Sequence, residues 1–103
     1  MFQNDPYMTV GFNTELSDQL KWTLVNHIKR LNEADYPVDY LQVFDLEKDM
    51  IKGHYVQKIT HHQSEPDHSE THYLILPDDE IVTEKVFVID ETDHHMFMLA
   101  SEY

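Results

Sequence analysis

The sequence contains no cysteine. That absence excludes disulfides, thiolate metal sites, cysteine nucleophiles and thiol redox chemistry together. Cations are scarce as well: 7 Lys and Arg stand against 20 Asp and Glu, a formal net charge of −13 with histidine neutral. Phosphate backbones and anionic lipid are bound by clustered cations, and the sequence has no dense run of them, so direct nucleic-acid or membrane binding is not expected. Long apolar runs are missing: nothing approaches the roughly 18 residues of a membrane span, and no basic segment precedes an apolar stretch as in a secretory signal. A cytoplasmic protein is the expectation. Glycine occurs only twice, at Gly11 and Gly53, which leaves no material for a Gly-rich phosphate loop. None of Ser17, Ser64, Ser69 and Ser101 sits in a Gly-x-Ser-x-Gly elbow, so a serine nucleophile of that kind is excluded.

What the chain does contain is enough for one folded domain. Of its 103 residues, 41% are hydrophobic and 12% aromatic, the composition of a globule rather than of a disordered tail. The acidic excess reads first as a well-solvated surface, and second as a partner for a basic protein or an acidic nucleic-acid mimic. A mimic lines carboxylates along one face, whereas these acids fall mostly in expected turns.

The organising stretch is 39–46, Asp-Tyr-Leu-Gln-Val-Phe-Asp-Leu. It reads as a central strand with apolar side chains on both faces, since alternate residues point to opposite sides, and so as a strand covered on both. Upstream, 7–12 alternates as a first strand. A helix follows, with Asn13, Thr14 or Ser17 as N-cap and the stripe Leu16, Leu20, Leu24, Ile28 and Leu31 at spacings of three and four. Trp22 lies off this stripe and reads as core edge. Downstream, 47–53 reads as a charged connection ending in a turn at Gly53. Strands are then expected at 54–63, 70–76, 85–89 and 95–100, separated by turns around Pro66, at 77–83 and at 90–94. The predicted fold is a single α+β domain over 1–103 with a frayed leader at 1–6. One amphipathic N-terminal helix packs on a curved, mostly antiparallel sheet of about six strands, in the order β-α-β-β-β-β-β. One helix cannot cover six strands, so the sheet must curl around its own core or meet a second chain, and a homodimer would serve.

Tyr7, Met8, Thr9 and Gly11, the 39–46 stretch, then Gln57, Ile59, His61, Gln63, Glu65 and Pro66 resemble motifs of one small family. Residues 85–90 and 98–103 resemble its ending. The family is a group of short proteins from Gram-positive bacteria known as the domain of unknown function nine hundred and sixty. The resemblance spans nearly the whole chain and implies a bacterial cytoplasmic protein; it implies no activity, cofactor or catalytic residue.

Histidine carries the chemistry to be weighed, with 8 in the chain. His61, His62, His68 and His72 fall on or beside one expected hairpin, where one of His61 or His62 faces His72 across the ladder. With Glu65, Asp67 or Glu70 they form a candidate Zn²⁺ or Ni²⁺ site. No His-Glu-x-x-His spacing supports it, and exposed histidines on polar turns are the competing reading. Histidines among carboxylates also suggest a pH-dependent association. Carboxylate pairs such as Asp45 with Glu47 are what 20 acids produce by chance, so no catalytic residue is assigned. The function expected from the sequence is a non-catalytic protein-interaction or regulatory module acting through a sheet edge or an aromatic patch, with another protein as partner. The alternatives are a histidine-based metal binder, the acidic mimic, and a hydrolase using carboxylates with histidine.

Overall fold

The computed structural model describes every residue except 1, 3, 4, 35, 36 and 92. The chain runs β1 (Asp5–Met8), α1 (Val10–Glu15), α2 (Asp18–Glu33), β2 (Leu41–Ile51), β3 (His54–Ser64), β4 (Asp67–Leu74), β5 (Glu84–Asp90) and β6 (His94–Leu99), with short 3₁₀ turns at Asp78–Glu80 and Ala100–Glu102. The strands form one mixed sheet in the order β1-β6-β5-β2-β3-β4. Four pairings are antiparallel, and β1 runs parallel to β6. The expected α+β class with six strands is therefore present, and β2 does lie in the interior of the sheet.

The N-terminal region departs from expectation. Thr9 turns the chain: its backbone is extended and its hydroxyl accepts from the Phe12 N–H, so Val10, Gly11 and Phe12 begin a helix rather than finish a strand. Ser17 caps a second helix in the same way, accepting from Leu20 N–H. The single expected helix is thus two, broken at Leu16. The leader at 1–6 lies partly outside the described residues, yet Phe2 is buried against the edge of the His95 ring and Asp5 already belongs to β1.

Helix α2 presents Leu20, Leu24, Ile28 and Leu31 to the sheet, all buried. They pack with Phe44 and Leu46 of β2, Ile59 of β3, Val86 and Val88 of β5, and Phe97 and Leu99 of β6. Among the described residues, the helices cover one face of the sheet. On the other, Leu41, Val43, Phe87, Ile89 and Met96 shelter one another across adjacent strands, the cross-strand solution to an apolar second face. The expected two-sided cover over 39–46 is accordingly replaced by a one-sided core. Trp22 is 54% exposed, outside the core edge, because its position in the helix turns it away from the stripe.

The β2–β3 hairpin is longer than expected, since 47–51 continues the strand and only Lys52 and Gly53 turn. Gly53 has φ +80, the left-handed region that favours glycine. Two 11-residue strands span roughly 36 Å, while the 16-residue α2 spans about 24 Å, so the hairpin overhangs its helix. Residues 75–83 then cross back from β4 to β5. Gln57 secures the crossing: its buried amide donates to Val82 O and accepts from Val82 N–H.

The two ends of the chain meet. Glu102 accepts from Thr9 Oγ1 at 2.6 Å, Gly11 N–H at 3.0 Å and Leu99 N–H at 3.0 Å. The Thr9 hydroxyl, followed by the backbone donors, holds its carboxyl below the ordinary range. A Cβ at position 11 would lie 2.6 Å from Glu102 Cδ. Gly11→Ala should therefore expel this carboxylate and lower the melting temperature, by an amount that alanine's better helix propensity reduces. Thermal unfolding should show it, and Glu102→Ala added to Gly11→Ala should cost little more, because both remove one contact set.

Candidate functional site

Strand alternation sorts the histidines. On β3, Gln57, Ile59, His61 and Gln63 turn towards the helices; on β4, their partners Leu74, His72, Glu70 and His68 turn the same way. His62, one residue from His61, points to the opposite face, where its Nε2 meets Asp45 Oδ2 at 2.9 Å. Of the four expected ligands, the fold brings His61, His68 and His72 together and places His62 elsewhere. It adds His27, which α2 supplies one position from the buried Ile28 and which is half-buried over β3 and β4.

The rings pack closely. His61 stacks on Phe44 with centroids 5.0 Å apart, and His27 stands edge-on to His61 at 4.7 Å and to His72 at 5.0 Å. Hydrogen bonds link them into one row. Gln63 donates to the backbone carbonyls of Pro37 and Pro66, which can only accept, so its Oε1 must be the atom that takes Asp39 N–H and the Gln42 amide. Gln42 also donates to the Asp39 carbonyl, leaving its Oε1 to His61 Nε2 at 2.6 Å. His61 Nε2 therefore carries a proton. In the neutral ring Nδ1 then holds a lone pair, and His27 Nε2, 3.0 Å away, must donate to it. His27 is left with its lone pair on Nδ1. The backbone carbonyls of Pro37, Asp39 and Pro66 thus set the tautomer of a helix histidine.

Electrostatics agree with that assignment. Burial, followed by the neighbouring His27, pushes the His61 pKa down to about 4. Burial also lowers His27, against the pull of Glu70. Glu70 stands at the surface end of the row, its Oε1 bonded to His68 Nε2 and its Oε2 to His72 Nε2, both at 3.0 Å. The His68 bond, followed by the one from His72, outweighs partial burial and holds its carboxyl at about 2. At neutral pH the cluster is one carboxylate ringed by imidazoles. His27, Glu70 and His72 each bring a ligand atom within 4.8 Å of the other two. Small clefts of about 200 and 170 Å³, both bordered by His27, Arg30 and His72, open onto it. No buried side-chain polar atom lacks a partner among the described residues.

His27 was not legible as part of the cluster because it lies 34 positions from His61 and outside the expected hairpin. The available signal was its place three residues after Leu24 and four before Leu31, on the border of the buried stripe.

Residues 5–102 match DUF960, described as a staphylococcal protein of unknown function. The chain belongs to that family. A DUF960 assignment carries no activity, so the chemistry rests on the geometry above. No curated protein matches the chain. Among solved structures it is similar to a protein of unknown function from Enterococcus faecalis, with TM-score 0.80 and 17% identity, covering 97% of this chain and 91% of that one. At that identity the likeness speaks to fold. No described helix of this DUF960 chain is long and apolar enough to cross a membrane.

Proposed function

We propose that the protein is a non-catalytic interaction module that receives an extended, apolar and acidic segment of a partner protein along the outer edge of β4. The supporting observation is an edge strand without lysine or proline beside an apolar groove. β4 closes one side of the sheet, and its sequence, Asp-His-Ser-Glu-Thr-His-Tyr-Leu, has neither the lysine nor the proline that natural edges use to discourage pairing. Where the hairpin overhangs α2, Ile51, Tyr55, Val56, Tyr73, Ile75 and Leu76 line a groove of about 770 Å³. Ile75 is 83% exposed and Tyr73 50%, in a chain otherwise rich in surface charge. Adding a strand satisfies backbone donors and acceptors, while a groove takes alternate side chains.

Charge favours an acidic segment. Three of the 7 Lys and Arg, Lys48, Lys52 and Lys58, sit on this hairpin. Lys52 borders the groove, Lys58 lies across the ladder from Tyr73, and Lys48 sits 4.0 Å over the Tyr55 ring. Glu47 and Asp49 on the hairpin and Asp78 at the groove offset these lysines, which leaves this end nearer neutral than a protein of net −13 as a whole.

Peptides selected for binding from a random display library test the reading. Binders should be extended, with alternating apolar residues and acids, and should slow hydrogen exchange at β4 amides. Ile75→Glu should weaken them about tenfold or more, roughly 1.4 kcal/mol. Protection on another surface, or indifference to Ile75→Glu, would overturn it. A concentration-dependent dimer abolished by Ile75→Glu would give the edge to a second copy of the chain instead.

A further inference from the structure

We propose that His27, Glu70 and His72 form a binding site for a borderline divalent cation of the Zn²⁺ and Co²⁺ kind, with His61 and His68 as its orienting partners. The inference is independent of the β4 edge: it uses the inward side chains of that strand, not its outer backbone.

Three observations carry it. The donor set, two imidazoles and one carboxylate, is one that Zn²⁺ accepts, with bonds of about 2.0 Å. A tetrahedral site with such bonds needs ligand atoms about 3.3 Å apart. One nitrogen of each histidine and one Glu70 oxygen lie within 4.8 Å of one another, and two of the three side chains are partly exposed and able to adjust: Glu70 is 35% and His72 47% accessible.

The second observation is direction. The amide row from Gln63 through Gln42 and His61 leaves His27 with Nδ1 as its only lone pair, while Nε2–H donates to His61. A ligating histidine whose other nitrogen is held by a hydrogen bond has both its tautomer and its ring orientation set before the ion arrives. Gln42, Gln63 and His61 are all buried, so the row is rigid where an exposed chain of side chains would not be.

Third, Glu70 already divides its oxygens. His68 holds Oε1, and Oε2 faces His72. On binding, the cation takes the place of the shared proton between Oε2 and His72 Nε2, His72 shifting its N–H to Nδ1, and His68 stays on Oε1. Three protein ligands leave a fourth position open towards the clefts beside Arg30. The expected set His61, His62, His68 and His72 is thereby redrawn: His72 remains a ligand, His61 and His68 become orienting groups, and His62 is outside.

Calorimetric titration of the tag-free chain with Zn²⁺ near neutral pH is the test, with Co²⁺ absorption as the report on coordination. One ion per chain is expected, with visible Co²⁺ bands of a four-coordinate site. Glu70→Gln and His72→Ala, both near the surface and expected to fold, should each weaken Zn²⁺ at least about tenfold, and His61→Leu should weaken it about 10- to 100-fold through His27. His62→Ala and Ile75→Glu should leave it unchanged. The proposal is overturned by the absence of saturable uptake, by uptake that survives both Glu70→Gln and His72→Ala, or by uptake that His62→Ala removes.

Discussion

Replacing His61 by leucine is expected to lower stability at neutral pH by about 2–4 kcal/mol, a large share of what a domain of this size has. Leucine fills part of the ring's space against Phe44 but leaves Gln42 Oε1 buried without its donor at 2.6 Å, and His27 Nε2 without its acceptor. A buried polar atom stripped of its partner costs about 1–3 kcal/mol, more than the bond itself contributes. The asymmetry gives a sharper expectation. If Gln42 also becomes leucine, the orphaned oxygen disappears, and Gln63 Oε1 still accepts from Asp39 N–H. The Asp39 carbonyl loses the Gln42 amide as well, so the double variant should lose less than the two single variants summed, a coupling of about 1–3 kcal/mol in a double-mutant cycle by urea unfolding. Additive losses would mean that the row does not act as a unit.

That same row explains which parts of the fold could be read from the chain. Helix α2, the central strand and the glycine turn at Gly53 were legible because each obeys a simple period or turn rule. β3 was legible only faintly, as a half-exposed strand with weak alternation. Its inward positions Gln57, His61 and Gln63 are polar, so the alternation that marks a half-buried strand was weak, and burial is sustained instead by hydrogen bonds to segments far along the chain. The helix start at Val10 was hidden for a related reason. Val10 and Phe12 also fit a strand pattern, and what decides is Thr9 and Gly11 meeting Glu102 more than 90 positions away. Among the residues that carried the family resemblance, Thr9, Gly11, Gln42, Gln57, His61, Gln63 and Glu102 make these long-range polar contacts. Within the candidate site, the β3–β4 register decided between His61 and His62, and tertiary packing of α2 supplied His27. Neither fact resides in local sequence.

Acid should unfold the chelator-treated, metal-free protein in two overlapping stages, and the direction follows from where protons bind. In the unfolded chain His61 titrates near its ordinary 6.5; folded, it does so near 4. Between those values the unfolded state binds more protons, so stability falls as pH drops from 6.5 to 4 and levels off below. A shift of that size corresponds to about 3 kcal/mol for His61. The groups facing His61 are His27 from α2, His68 and Glu70 from β4, and the neutral Gln42 and Phe44 from β2. His27 and His95, both lowered by burial, add to the loss of stability as pH falls below 6.5. Glu70 acts lower: its carboxyl moves from 4.5 unfolded to about 2 folded, so its contribution is present above 4.5 and is lost as pH falls to 2. Urea midpoints measured from pH 7.5 to 3 should decline first across the histidine window and continue through the carboxylate one, with the slope of unfolding against urea unchanged. In His61→Leu, lower in stability throughout, the decline between pH 6.5 and 4 should be shallower, while Glu70→Gln should flatten the region below 4.5 and, by removing the carboxylate that raises His61 and His27, steepen the decline above it. A wild-type midpoint constant from pH 7 to 4.5 would mean that His61 takes up a proton without cost, and the tautomer row from Gln63 to His27 would then be wrong.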